Sequence, residues 1–260
     1  MNAPLRIARE LSGLEKMALL GGWKPGTVVL IMWGYFDESG EHDTASGNLR
    51  RLAMGGFYAP WSAIKALCVE WREALDVEGL GDFHMKEIAS DEHNYMSWPP
   101  ERRQRLDRFV GILCKHATHF GAFSYPVQDP DHAFVQAYKP GLSRALIHLE
   151  GVCIESGQRG NIVFAQTEQI SNELIGRYFD GANWDGSFDG FAVRKSRNEP
   201  ALQAAEIVAR GMKRFMQDGG ITYSFSRIRS TLKPIMFWPQ DPTAALSAEP
   251  SGMRKQHCKA

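Results

Sequence analysis

The chain has 260 residues, of which 43 % are hydrophobic and 23 % charged. That is room for one large domain with appendages, and the balance excludes a disordered or fibrous protein. Lys+Arg and Asp+Glu number 30 each, which excludes binding to polyanions by overall charge alone. The neutrality hides an asymmetry: residues 32–193 carry a net −9, residues 194–260 a net +7 and the first 31 residues +2. An acidic body with a basic C-terminal quarter suits a metal-dependent nucleic-acid enzyme, and many inert proteins share it. Cys68, Cys114, Cys153 and Cys258 lack any CxxC spacing, so neither a disulfide framework nor a structural zinc site is expected. A reducing, cytoplasmic location fits. The longest apolar run, Val28–Phe36, is broken by Gly34 and too short to span a bilayer, so no membrane association is expected.

In chain order, residues 1–26 read as a detachable N-terminal extension. A short amphipathic stretch there ends at Gly21-Gly22 and Pro25-Gly26, and Met32 stands as an alternative start. Val28–Phe36 is a buried central strand by its continuous apolarity. Arg51–Tyr58 is a second strand, and Trp61–Leu75 and Glu101–Ala117 have helical spacing. Phe120–Val127 reads as a strand. Asp131–Tyr138 and Gly141–Ser156 read as helices separated at Pro140. Asn161–Phe164 is a short strand, Ser171–Phe179 a helix, Phe188–Lys195 a strand and Pro200–Gln217 a helix. Ile221–Phe225 is expected as a last strand, possible as an edge. Asp241–Ala260 lacks any apolar period and reads as a disordered tail. Strands interleaved with long helices predict a single α/β domain of mixed α+β layers over 27–240, with one sheet.

Five groups of residues carry chemistry in this pattern. Asp37-Glu38-Ser39-Gly40 follows the apolar strand, so its carboxylates sit on a rigid element at the strand's carboxyl end, where sites in such sheets form. Gly40 is expected to permit a sharp turn directly after them; an ordinary polar turn has the same composition. Phe83-His84-Met85-Lys86-Glu87 packs an imidazole, an ammonium and a carboxylate together. His84 and Glu87 share a face if the segment is helical, and a solvated helix start reads the same way. After Asn161–Phe164 the expected acid is absent, and Gln166 and Glu168 are the available polar groups. On the helix 200–217, Ala201, Leu202, Ala205, Val208, Ala209 and Met212 form the buried face, with Gln203, Glu206, Arg210 and Lys213 on an adjoining stripe. Glu206 borders the tightly packed face, the place for a metal ligand, with an ion pair to Arg210 as the competing reading. Arg227, Arg229 and Lys233 alternate along a segment expected to be extended, so all three point one way, toward phosphates or toward solvent.

The order of these groups resembles the domain-of-unknown-function family 3800. That likeness is carried by an apolar strand ending in Asp37-Glu38-Ser39-Gly40, the segment Phe83–Glu87, and a helix reading Leu202-Gln203-Ala204-Ala205-Glu206-Ile207-Val208-Ala209. It spans about residues 32–235. The resemblance implies a ribonuclease H-like fold and a metal-dependent nuclease acting on DNA or RNA. Asp37, Glu87 and Glu206 would be the catalytic acids, and Asp37, Glu38, Glu87 and Glu206 the ligands of Mg²⁺ or Mn²⁺. Ser39, His84, Lys86 and Gln203 would support them, and Arg227, Arg229 and Lys233 would contact the nucleic acid. Glu206 stands where the family usually has Asp, and Gln166 where such folds have an acid. The second departure favours an alternative, a catalytically silent relative that binds nucleic acid or a protein partner. Hydrolysis through two ions about 3.5–4 Å apart needs hard oxygen ligands of the kind these carboxylates supply.

Overall fold

The computed structural model describes residues 31–43, 45–89, 91–167, 170–180 and 188–237. The expected N-terminal extension, the C-terminal tail and Glu168 lie outside the described residues. Six strands form one mixed sheet: β1 (Ile31–His42), β2 (Leu49–Pro60), β3 (His119–Pro126), β4 (Arg159–Ala165), β5 (Phe188–Arg194) and β6 (Lys233–Phe237). Their spatial order is β5-β4-β1-β2-β3-β6. β2 runs antiparallel to both neighbours, whereas β1/β4, β4/β5 and β3/β6 pair parallel. Parallel neighbours require crossovers, and helices supply them.

The helices are α1 (Trp61–Glu78), α2 (Met85–Ile88), α3 (Pro100–His116), α4 (Lys139–Ser156), α5 (Asn172–Asp180), α6 (Pro200–Asp218) and α7 (Tyr223–Thr231). Nine of the predicted elements fall within about three residues of an observed strand or helix; three expectations need correction. Pro140 does not separate two helices. It occupies the first turn of α4, where its missing N–H costs little, and a π-helical turn over Phe134–Tyr138 precedes it. Wide turns of this kind absorb a break in the i→i−4 ladder. Ile221–Phe225 is not a strand, because Thr222 caps a helix there: its hydroxyl accepts from the Phe225 N–H. The last strand is β6, further along and at the sheet's edge. Finally, no turn follows Gly40; β1 continues through the whole motif to His42.

Alternation along the strands divides the core between the two faces. Met32 and Phe36 of β1, Leu52, Met54 and Tyr58 of β2, and Ile162 and Phe164 of β4 pack with Leu142, Leu146 and Leu149 of α4. The opposite face carries α6, against β1, β2 and β3. Beyond α6, Trp71 of α1, Phe83 and Phe109 of α3 form a triangle of rings with centroids 4.7–5.1 Å apart. Each such fully buried ring contributes roughly 1.5–3 kcal/mol. The approach of α6 to the sheet is set by small residues. A Cβ on Gly55 would lie 2.4 Å from the Ala209 nitrogen, so the helix backbone rests directly on β2 at that point. Ala201, Ala204, Ala205 and Ala209 supply the matching small face of the helix, all fully buried.

Candidate active site

β1 pairs with β4 only as far as Phe36↔Phe164, while its pairing with β2 continues to His42. Asp37 is therefore the first residue of β1 past the end of the parallel ladder. It sits opposite Gly55, the residue on which α6 rests. Being an odd-numbered neighbour of Tyr35, its side chain rises on the α6 face, where its charge meets that of Glu206. Glu206 lies three residues before Ala209, so the same close contact that seats the helix on Gly55 brings its carboxylate to the strand end.

Burial, and then the Glu206 charge, push the Asp37 carboxyl up to about 7; the Glu38 N–H, donating to Asp37 Oδ1 at 2.8 Å, opposes the shift. Glu206 is also raised by burial, against the pull of His84 and of the Met85 N–H that it accepts at 3.0 Å. His84 bridges two acids: Nδ1 lies 3.4 Å from Glu206 Oε2 and Nε2 3.6 Å from Asp82 Oδ2. Arg197 Nε is 2.8 Å from the same Asp82 oxygen. The site thus holds two carboxylates whose charges interact, a histidine beside one of them, and an aspartate–arginine pair behind the histidine.

Gln203 locks this arrangement from beneath. Its Oε1 accepts from Trp71 Nε1 (2.9 Å) and the Phe83 N–H (3.2 Å), and its Nε2 donates to the Arg197 carbonyl (3.0 Å). One buried amide, satisfied on both ends, fixes the loop that presents Asp82 and His84 and the turn that presents Arg197. Its role is to position the loop rather than to touch a ligand.

The other expected residues fall elsewhere. Glu38, one residue on from Asp37, projects to the α4 face. There Tyr138, at the end of the π turn, and Thr167, just past β4, donate hydrogen bonds to it, while burial raises its carboxyl well above the usual range. Ser39 follows on β1 and is half-buried. Glu87 does not share a helical face with His84, because α2 starts at Met85 and His84 is its extended N-cap residue. The exposed Glu87 side chain instead opens onto a cleft of about 350 Å³ shared with Asp82, Glu101, Arg102 and Arg105. Gln166 is exposed, with its N–H donating to the Arg194 carbonyl. Arg227 and Arg229 are on a helix, α7, so the two do not project together as they would from a strand. Arg227 reaches Asp107 and Tyr223, and Lys233, at the start of β6, pairs with Glu155.

Asp37, Glu38, Glu87 and Glu206 therefore do not converge. Among the described residues no group of three or more His, Cys, Asp and Glu side chains is placed to hold a metal ion. What the donor set does fit is a single hard cation. Burial raises both half-buried carboxyls and the Glu206 charge raises Asp37 further; a cation beside them would offset that penalty, and Mg²⁺ is commonly held by one or two carboxylates plus waters.

Asp82, Arg197 and Lys213 belong to the site without having been singled out for it by the sequence pattern. Lys213 Nζ donates to the Gly40 carbonyl at 2.6 Å, tying the second half of α6 to the end of β1. Its place on the Glu206 stripe of the helix was the available signal; for Asp82, proximity to His84 was the signal. Tyr138 and Thr167, which hold Glu38, are distant in sequence and gave none. No protein-family model matches the chain, and no curated protein is similar to it. The likeness to family 3800 rests on its motif residues.

Proposed function

We propose that the chain is a ribonuclease H-like member of family 3800 that hydrolyses phosphodiester bonds in DNA or RNA with one Mg²⁺ or Mn²⁺ ion. The observation that carries this reading is the Asp37–Glu206 pair, two carboxylates on the same side of the sheet whose charges interact where the parallel ladder ends. Two further features support it. Among the described strands β2 alone runs antiparallel to the rest, flanked by β1 and β3, and the helix carrying the second acid lies across these three strands. Asp37 and Glu206 would hold the ion. Bound there, it would supply a water of lowered pKa and neutralise charge on the phosphate. His84 holds one Glu206 oxygen while the Met85 N–H holds the other, so the carboxylate's orientation is set before any ligand arrives. The Arg197–Asp82 pair in turn fixes the far side of the imidazole.

A second reading, a silent relative that binds nucleic acid or a protein, is favoured by one observation: Glu38 faces the other side of the sheet and Gln166 supplies no charge, so no third acid joins the pair. Isothermal titration of Mg²⁺ and Mn²⁺ into the wild type and Asp37→Ala, beside cleavage assays on labelled single- and double-stranded DNA and RNA, separates the two. Metal binding and cleavage that both disappear in the variant are expected. A folded wild type that binds neither ion and cuts no substrate would remove the nuclease reading.

A further inference from the structure

The cleft onto which Glu87 opens has a volume of about 350 Å³. That is the small end of ligand sites, which run about 300–1,000 Å³, and the scale of one nucleoside rather than of a duplex. Asp82 is in its wall, and a single imidazole, that of His84, spans from this carboxylate to Glu206. Another part of the wall is a stacked pair. Arg102 Cζ lies 3.8 Å from the centroid of the Trp98 ring. Trp98 is buried, and Arg102, which lines the cleft, is the outer layer of the stack. The Arg102 Nε donates to the Ile88 carbonyl at 3.2 Å, and Nη1 and Nη2 donate to the two oxygens of Asp91. The guanidinium is thus held by its edges and keeps a flat face, and such planes stack on bases as aromatic rings do. Leu80 and Pro99 add apolar surface to the same cleft.

Charge decides what enters. Glu87 on α2 and Glu101 on α3 are exposed, and neither side chain pairs with another described residue. The cations of the cleft are matched: Arg102 by Asp91, and Arg105 by Glu78, one oxygen of which lies 2.9 Å from Arg105 Nε and the other 3.0 Å from Arg108 Nη1. With acids in excess a phosphate is repelled, and two guanidiniums in the wall oppose a bare cation. A neutral planar body with donors on one edge and acceptors on the next answers both. Guanine is the base with those two edges, N1–H and the N2 amino group beside O6 and N7.

We infer that this cleft receives an unpaired guanine of the strand cut at the Asp37–Glu206 pair. The ring stacks on Arg102, Glu87 and Glu101 accept from N1–H and the N2 amino group, and Arg105 donates to O6 and N7. That the ligand is a nucleic acid rests on the phosphodiester reading above; that its base is guanine rests on the cleft. In a duplex the same donors are spent on cytosine, so the substrate is single-stranded at this position.

The test is fluorescence anisotropy of the full chain, in EDTA, with fluorescein-labelled thymidine strands of about 12 nucleotides carrying one central guanine, adenine or cytosine, and with their uridine counterparts. A bidentate base contact discriminates by roughly 5- to 150-fold. Glu87 and Glu101 are exposed, so guanine should be preferred to adenine by about 10-fold. Hypoxanthine lacks the N2 amino group and 7-deazaguanine the N7 acceptor, and each should bind about 5-fold less tightly than guanine, the loss of one hydrogen bond. These two probes are read on the wild type, so no misfolded variant can mimic their result. Glu87→Gln/Glu101→Gln should bring the guanine-to-adenine ratio to within about 2-fold of one. Glu73→Gln/Asp131→Asn, the same loss of charge on α1 and ahead of α4, should leave the ratio at its wild-type value. Equal affinity for the bases, hypoxanthine and 7-deazaguanine bound as tightly as guanine, a ratio that persists without Glu87 and Glu101, or a wild type that binds no strand would each overturn the inference. Cutting in Mg²⁺ or Mn²⁺ with no preference for guanine would refute the cleft assignment and leave the hydrolase reading standing; a guanine preference without cutting would do the reverse.

Discussion

Gly55→Ala tests the contact that makes the site. The added methyl would sit 2.4 Å from the Ala209 nitrogen, 2.5 Å from its Cα and 2.6 Å from the Val208 carbonyl carbon. Carbon atoms in contact prefer about 3.5–4.0 Å, so the shortfall is about 1 Å and falls on backbone, which has no rotamer to change. Either α6 lifts from β2 or the strand bows away. Overpacking of this kind costs typically 1–3 kcal/mol, and the upper end applies because both partners are main chain. In urea denaturation this reads as a loss of about 3 kcal/mol, and in a thermal melt as roughly 6–12 °C for a chain of this size. Glu206 moves with the helix, so the affinity for Mn²⁺ should fall as well. Gly151→Ala is the contrast: it is helical and exposed, with nothing within 4 Å of the new methyl, and should stabilise by up to about 1 kcal/mol. A Gly55→Ala protein within about 0.5 kcal/mol of wild type, the range of an ordinary surface change, would refute the close seating of α6 and the geometry of the acid pair built on it.

Three other substitutions probe charge and polarity. Asp37, whose folded pKa of about 7 lies above its unfolded value, binds more protons folded than unfolded between about pH 4 and 7, so wild-type stability falls as pH rises through that window. In EDTA, Asp37→Asn should lack this fall and be about 2 kcal/mol more stable at pH 8, about half the ceiling set by the shift; a less stable variant at pH 8 contradicts the repulsion. His148 is stacked on Phe123 at 5.5 Å, with its pKa pushed down to about 4 by burial and then by Arg144. Here stability is lost as pH falls from about 6.5 to about 4, and His148→Phe should remove roughly 1.5 kcal/mol of that acid sensitivity, half the ceiling because the ring is partly exposed. Parallel urea-unfolding pH profiles for the two proteins would count against it. Gln203→Ala strands the buried Trp71 and Phe83 N–H donors at about 1–3 kcal/mol each. It should weaken metal binding by freeing the Asp82–His84 loop, and an unaltered melting temperature would show that the amide is not the lock.

Much of the architecture was legible because it follows from local pattern. The apolar run into Phe36, the helical spacing of 61–75 and 101–117, and the small-residue face of the helix from Pro200 each specify an element regardless of the rest of the chain. Asp37 and Glu206 were both legible as candidate acids, one at the end of a buried strand and the other bordering a packed helix face. What local pattern did not show was which of the other polar groups join them. Glu87 reads as a natural third acid by sequence, yet the helix begins one residue after His84, which turns the histidine inward and leaves the glutamate on the neighbouring cleft. Arg227 and Lys233 look alike as basic residues in a basic segment, and only the fold supplies Asp107 and Glu155 to each. The strand expected over Ile221–Phe225, and with it the extended backbone expected at Arg227 and Arg229, failed for a local reason that was available: Thr222 is a helix cap, and capping outweighed the alternation of basic residues.

The adjacent acids of β1 serve opposite sides of one sheet, Asp37 toward Glu206 and Glu38 toward Tyr138 and Thr167. Strand register thereby becomes part of the chemistry. Adding or deleting one residue between Ile31 and Phe36 would exchange the two faces. The longer Glu38 would be delivered to α6, while the tyrosine and threonine on the other side would meet the shorter Asp37. A frame-preserving insertion of one codon in that stretch thus disrupts the acid pair more completely than the loss of either carboxylate, because it misplaces both at once and sets the apolar side chains of β1 against the wrong layer of helices.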